Sequence, residues 1–437
     1  MLCVGRLKRF GRCYSVAEEK VSFFIRKLGV FYSEKMSSST TNDARIYMML
    51  EDMLSVSRKE TNVLMTRFRN ARTERRKRRI LEYARKYSVL NKIPDQIKHL
   101  DRLVHVTDTT CLANLRMDRN TFGKLCRILT ERGGLKVAKC LGVEEQVAIF
   151  LGVLAHHNKN RAQQHLFWRS GATVSFYVNK VLGAVLSLHV DLLTPPVPVG
   201  DDFTDHRWKW FKGCLGALDG THINVLVRSA DKPRYRTRKG QIATNTLAVC
   251  NRNMQFVYFL PGWEGSAGDS RVLRDAVAKQ NGFKVPEGCY YLCDNAYANS
   301  NGFLTPYKGV RYHLKEWGPG MAAPQNPKEL FNMRHTKARN VIERAFAVLK
   351  MRWGILRCAS FYPIKTQIRL IMACFLLHNF IRREMGVDPI EVELDETNPP
   401  VAVAEDIGAN PYVNCVEPTA EWTSFRDNLA LNMWNNR

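Results

Sequence analysis

The chain has 437 residues, enough for two or three domains that each bury a core, and its 45% apolar content excludes a wholly disordered polymer. Its 66 Lys and Arg against 41 Asp and Glu leave a net charge of +25. That surplus favours polyanionic partners, nucleic acid first and an anionic membrane second, through phosphate contacts and steering. No run approaches the roughly 18 to 20 uninterrupted apolar residues of a spanning helix, so a soluble protein with no membrane partner is expected. The 12 cysteines are scattered without a CxxC pair, the closest spacing being Cys289 to Cys293, so zinc-ligand spacing is excluded and reduced thiols are expected.

Residues 1 to 60 form a poorly defined N-terminal segment. Arg6, Lys8, Arg9 and Arg12 lie near its start, but Glu18, Glu19 and Glu34 break an organelle-targeting pattern, no signal-peptide core follows, and Met36 offers an alternative start. Residues 61 to 100 are a basic helical region. From Arg67 to Lys86 ten Lys or Arg stand against two Glu, which reads as a helix with a cationic face. Its centre, Arg75, Arg76, Lys77, Arg78 and Arg79, suits nuclear import or DNA contact, with a solvated charged helix as the alternative.

Residues 101 to 193 read as an all-helical module, apolar positions recurring at helical spacing from Met117 to Leu188. Its last two helices are separated by WRSGAT, a short Gly-containing turn with Ser170 or Thr173 as cap. That spacing fits a helix-turn-helix that reads DNA and equally a simple helical bundle. The Pro-rich TPPVPVG then marks a linker over 194 to 210.

The pattern then turns strand-rich. FKGCLGALDGTHINVLV, NTLAVCNRN and QFVYFLPGW predict three strands, DSRVLRDAVAKQ a helix, CYYLCDNAY a fourth strand, and GVRYHLKEW an additional one. This is the order of an RNase H-like sheet. Helix dominates from Asn326 to Gly354 and from Pro363 to Arg383, closing a domain over 211 to 383. Residues 384 to 437 form an acidic tail, predicted to be disordered, with a short amphipathic C-terminal helix; between Glu384 and Asp406 there are eight acids and no Lys or Arg.

Three acids stand out. Asp219 follows an apolar run and shares a strand face with Ala217 and Thr221, although Asp before Gly is also ordinary turn chemistry. Asp294 ends a second apolar run, where a sheet gathers its sites. Glu343 lies within a basic helix, and counting by four places His335, Arg339 and Glu343 on one side with Lys350 further on. Those cations read as phosphate contacts; the alternative is a surface ion pair between Arg339 and Glu343. Three carboxylates suit phosphodiester chemistry. Two hard cations about 3.5 to 4 Å apart activate the nucleophile and neutralise the leaving oxygen, and carboxylates are their natural ligands.

At these residues the chain resembles the PIF/Harbinger transposases and Harbinger-derived nucleases, ALP1-like plant proteins included. The resemblance rests on FKGCLGALDGTHI, LPGWEGSAGDSRVLRDA, YYLCDNAYANSNGF, RHTKARNVIERAFAVLKMRWGILR and LLHNFIRRE, and spans about Met117 to Glu384. It implies an α/β fold, an RNase H-like DDE catalytic domain preceded by an all-α helix-turn-helix-like domain. It also implies catalysis and metal binding by Asp219, Asp294 and Glu343, a Mg²⁺ or Mn²⁺ cofactor, a DNA substrate and residence in the nucleus. A Myb-like partner protein or a chromatin complex is a further implied partner, and a domesticated, non-catalytic role is the alternative to nuclease activity. An RNA-processing role would share the fold. Ala296 departs from the commoner Gly beside Asp294. Asp269 also belongs to the pattern and competes with Asp294 as a ligand, although N-capping of its helix would explain it.

Overall fold

The computed structural model describes residues 41–86, 93–138, 141–317, 320–394, 412–413 and 415–437. The expectations for residues 1 to 35 and for most of the acidic tail fall outside these. The chain divides into two units, Met1–Asn91 and Lys92–Arg437.

In the first unit, Thr41–Lys86 is one 46-residue helix, α1. It contains neither Gly nor Pro and is rich in Arg, Met, Leu and Glu, all good helix formers. Arg75 to Arg79 are exposed throughout. Because successive residues turn by about 100°, five in a row encircle the helix, so the charge forms a collar and not a single cationic face.

The second unit opens with helices α2 (Ile93–Val104), α3 (Asp108–Leu115), α4 (Arg119–Glu131), α5 (Val143–His156), α6 (Asn160–Phe167) and α7 (Gly171–Ser187). Side-chain oxygens of Thr107, Asp118 and Ser170 accept the backbone N–H three residues on at the starts of α3, α4 and α7. Helix α5 is buried from Glu145 to Ala155 and forms the centre of the module. Between α6 and α7 the chain turns through Trp168, whose φ of 52° is left-handed. The expected linker, 194 to 210, packs against the rest of its unit: its Trp208 is buried, and Val199 N–H bonds Cys214 O at 2.9 Å.

Five strands follow in the mixed sheet β3-β2-β1-β4-β5: β1 (Cys214–Asn224), β2 (Ala243–Cys250), β3 (Phe256–Glu264), β4 (Tyr290–Leu292) and β5 (Phe303–Leu304). The first three run antiparallel, while β4 pairs parallel with β1 and β5 parallel with β4. This mixed α/β arrangement is consistent with an RNase H-like domain. The fifth strand is Phe303–Leu304, not the GVRYHLKEW segment. There the Glu316 carboxylate accepts from Tyr312 and His313 N–H at 2.6 and 3.1 Å, and the chain folds into a 3₁₀ turn.

Helix α8 (Asp269–Ala278) covers one face of the sheet with Val272, Leu273 and Ala276, against Leu218 and Val249. The other face carries Ala217, Ala248 and Phe256, and packs on α9 (Pro327–Arg352) and α10 (Ile364–Glu384). Helix α10 is long and apolar enough to match a membrane span, but 67% of its most apolar window is buried, as in a core helix. A short helix α11 (Pro389–Leu394) follows it. The predicted C-terminal helix, α12 (Ala420–Asn435), docks beside β5: Trp422 Nε1–H donates to Phe303 O at 3.0 Å.

Candidate active site

Asp219 sits inside β1, not in a turn. On the parallel neighbour, Ala217 pairs with Leu292, so Asp219 within β1 and Asp294 just past the end of β4, each two residues further on, lie at matched depth. Alternation turns Asp219 toward the face covered by α9. Its Oδ1 accepts from Gly220 N–H at 2.8 Å, and its Oδ2 accepts from Arg339 Nη1 at 2.9 Å. Another terminal nitrogen of Arg339 donates to Glu343 Oε1, and Arg339 Nε donates to Tyr312 Oη at 2.8 Å. Asp294 Oδ1 accepts from Asn295 N–H at 2.7 Å.

One guanidinium thus bridges two of the three acids. Burial pushes the Asp219 carboxyl up to about 6; the charge of Arg339 and the Gly220 N–H oppose the rise, and that of Asp294 adds to it. Burial also works against the charge on Arg339, but Tyr312, Asp219, Glu343 and Asp294 together hold its pKa above the usual arginine value. Burial raises Tyr312 above the tyrosine range as well.

Asp269 approaches β1 from the opposite face. The N-cap of α8 is Gly268 and makes no side-chain cap bond, so capping does not explain Asp269. Its Oδ1 instead accepts from Asn245 Nδ2 at 2.7 Å. Gly220 makes room for it: a Cβ there would stand 2.4 Å from Asp269 Oδ1. The Asp-Gly pair therefore records close packing within a strand. Ala296 has no left-handed φ to maintain and accepts a bond from Ser270 Oγ at 2.6 Å, so the turn tolerates it.

The proposed phosphate-contacting residues separate. Lys350 flanks the acids, donating to Thr221 Oγ1 at 2.7 Å and His222 O at 3.2 Å, with burial lowering its pKa. Arg339 is buried and turned toward carboxylates, and not outward to solvent. His335 is fully buried beneath Phe211, Phe331 and Tyr312; its Nε2 bonds Leu304 O at 3.1 Å, and burial lowers its pKa to about 3. A neutral, enclosed imidazole cannot reach a phosphate. Arg75 to Arg79 belong to the separate unit of α1. Tyr312 anchors Arg339, a role that its strand-like segment conceals in the sequence.

Carboxylate oxygens are the right donors for Mg²⁺ or Mn²⁺. Among the described residues no three His, Cys, Asp or Glu side chains converge closely enough to hold an ion as they stand. Arg339 supplies the compensating positive charge.

Comparison with known proteins meets this geometry directly. Residues 218–379, which contain Asp219, Asp294 and Glu343, match the family described as DDE superfamily endonuclease. The chain carries a DDE endonuclease domain. Residues 95–187, which cover α3 to α7, match a domain of unknown function. Protein ALP1-like of Arabidopsis thaliana is 24% identical over 293 residues, 61% of this chain and 69% of that protein. The Arabidopsis protein named Antagonist of Like Heterochromatin Protein 1 is 26% identical over 287 residues, 61% of this chain and 71% of that protein. The candidate nuclease HARBI1 of Homo sapiens is 28% identical over 181 residues, 40% of this chain and 48% of that protein. No solved structure matches the chain.

Proposed function

We propose that the chain is a metal-dependent DNA endonuclease of the Harbinger transposase type, acting in the nucleus. The observation that carries this reading is the placement of Asp219 and Asp294 at matched depth on neighbouring chain segments, with the helix acid Glu343 tied to Asp219 through Arg339. Asp219, Asp294 and Glu343 would hold Mg²⁺ or Mn²⁺, which when bound lowers the pKa of water and neutralises charge on a phosphodiester. The chain's own residues do the rest. Asp219 and Asp294 orient from adjacent strands, Lys350 offers a cation beside them, and Arg339 keeps Asp219 and Glu343 in place before substrate arrives. The basic collar of α1 would supply non-specific phosphate contact, and α7 would read DNA as the second helix of a helix-turn-helix. A full transposase would also use a DNA 3′-hydroxyl as nucleophile, and a Myb-like protein would help bring the chain to DNA.

Nicking of supercoiled plasmid with Mn²⁺ tests the assignment. Asp219→Asn, Asp294→Asn and Glu343→Gln should each abolish it while the protein stays folded. Unchanged nicking by Asp219→Asn would sink the assignment.

One observation favours a second reading, a domesticated, non-catalytic chromatin or protein-interaction module. Arg339 already satisfies Asp219 and Glu343, so the acids have a structural use, and one relative is named for antagonism of a heterochromatin protein. Protein that never nicks DNA under Mn²⁺, yet recovers a chromatin complex equally well after Asp219→Asn, would establish it.

A further inference from the structure

Behind α9, away from the acids, lies a cleft of about 400 Å³ between segment 203–208, the β2–β3 turn, α9 and the α10–α11 corner. Lys337 and Val341 of its wall stand roughly 160° around the helix from Arg339, so the cleft is not an extension of the acid site. Among the described residues five cations line it, Arg207, Arg252, Lys337, Arg344 and Arg382, against the acids Asp205, Asp388 and Glu391. Those acids are engaged: Asp205 by Arg207 at 3.2 Å, Asp388 by the fully buried Arg352, and Glu391 by Arg382.

Arg252 is the informative residue. Its guanidinium lies 4.2 Å above the Phe203 ring centre, which fixes its plane. Its Nη1 is buried and has no hydrogen-bond partner among the described residues. Burial lowers its pKa, so the cation sits where its surroundings give too little compensating negative charge. Lys337 adds an exposed ammonium at the rim. A fixed guanidinium with an unspent donor, among other arginines, matches the oxygens of a phosphate. With Arg207 and Arg382 engaged by Asp205 and Glu391, and Asp388 by Arg352, Arg252 and Lys337 line the cleft without a paired carboxylate among the described residues, which suits a phosphate dianion better than one more carboxylate.

We propose that this cleft is a phosphate-binding site, taking the phosphate of a nucleotide or of a nucleic-acid strand. The strand form rests on the DNA reading above; the phosphate site does not.

The test uses the full chain in EDTA, so that no nicking enters the readout. Calorimetric titration is run with inorganic phosphate, with AMP, and with a short single strand with or without a 5′-phosphate. AMP should bind, and Arg252→Gln and Lys337→Gln should each weaken it about tenfold, with Arg252→Lys intermediate and Lys279→Gln, beside the C-terminal end of α8, without effect. Lys337 is exposed, so its variant carries the test even if Arg252→Gln fails to fold. A strand preferred for its 5′-phosphate identifies a terminal phosphate as the ligand. Equal binding of both strands, weakened alike by Lys337→Gln, identifies a backbone phosphate. Affinities for AMP and for both strands unchanged in Arg252→Gln and Lys337→Gln would overturn the proposal, whether or not the wild type nicks DNA.

Discussion

Asp219 and Arg339, 120 residues apart in the chain, are joined at 2.9 Å, and the same guanidinium also holds Glu343. The bridge fixes the relation of β1 to α9 before any ligand is present. Arg339→Gln should therefore leave two carboxylates uncompensated. Removing one partner of a buried pair costs about 3 to 5 kcal/mol, and the half-exposed Glu343 puts the expected loss near the lower end. Mn²⁺ should raise the melting temperature of Arg339→Gln more than that of the wild type, because the ion takes over the missing charge. Equal gains in both proteins would show that the acids do not share a cation site.

Asp219 also sets a pH dependence. Its folded pKa of about 6 lies above the ordinary 3.8, so the folded state holds the proton more tightly than the unfolded one. The stability linked to this group is complete below the ordinary value and is lost as pH rises through about 6. Asp219→Asn removes that loss. Without divalent ions, its melting temperature relative to wild type should be higher at pH 7.5 than at pH 4.5, and a difference that does not change with pH would refute the assignment. The proposed nicking, measured at limiting Mn²⁺, should fall as pH drops below about 6, because the proton on metal-free Asp219 then competes with the ion.

Gly220 gives a sharper test of packing. The Cβ of Gly220→Ala would meet Asp269 Oδ1 at 2.4 Å and Cγ at 2.8 Å, so the Asp269 carboxylate must move away from Asn245. Overpacking of this kind costs about 1 to 3 kcal/mol. Adding Asp269→Ala should recover part of that loss, giving a favourable coupling in a double-mutant cycle measured by urea unfolding. Strict additivity would mean that the two residues do not press on each other.

The residues that sequence placed well and those it did not differ in a physical way. Apolar runs ending at Asp219 and Asp294 show up as strands because local alternation determines them. Counting by four along α9 correctly set Arg339 beside Glu343. The same counting put His335 on that side but could not give its depth, which depends on Phe211 and Tyr312 arriving from other elements. The two-residue β5 has too little length to carry a pattern, whereas the aromatic segment around Tyr312 has strand-like composition but is turned by Glu316. The helix position of Asp269 suggests a cap, whereas its approach to β1 across Gly220 is purely tertiary.

Burial sets the neutral His335 apart from the exposed cations proposed to contact DNA. His335→Gln should lower stability, because it disturbs the enclosed hydrogen bond to Leu304 O, yet leave the salt dependence of DNA binding unchanged. Replacing Arg75, Arg76, Lys77, Arg78 and Arg79 by Gln should do the reverse. Every phosphate that is no longer neutralised reduces the slope of log K against log salt by about 0.9, so a slope smaller by several units is expected with little change in melting temperature. An unaltered slope in the collar variant would remove α1 from the proposed DNA interface.

The C-terminal helix α12 covers the sheet edge that β5 would otherwise present. Trp422 donates to Phe303 O, Tyr307 Oη donates to Asp427 Oδ1 at 2.5 Å, and Arg334 Nη1 donates to Met433 O at 3.1 Å, which ties α12 to β5, to the segment after it and to α9. An uncovered strand edge invites pairing with another chain. Trp422→Ala removes both the indole donor and the stacking on Phe425, whose ring centre lies 4.6 Å away. A loss of about 3 to 5 kcal/mol is expected from truncating a large packed aromatic, toward the lower end because Trp422 is only half-buried. Light scattering at raised temperature should show Trp422→Ala aggregating before its unfolding midpoint, as an exposed β5 edge would. Aggregation that only follows global unfolding would show that α12 stabilises α9 without guarding the sheet.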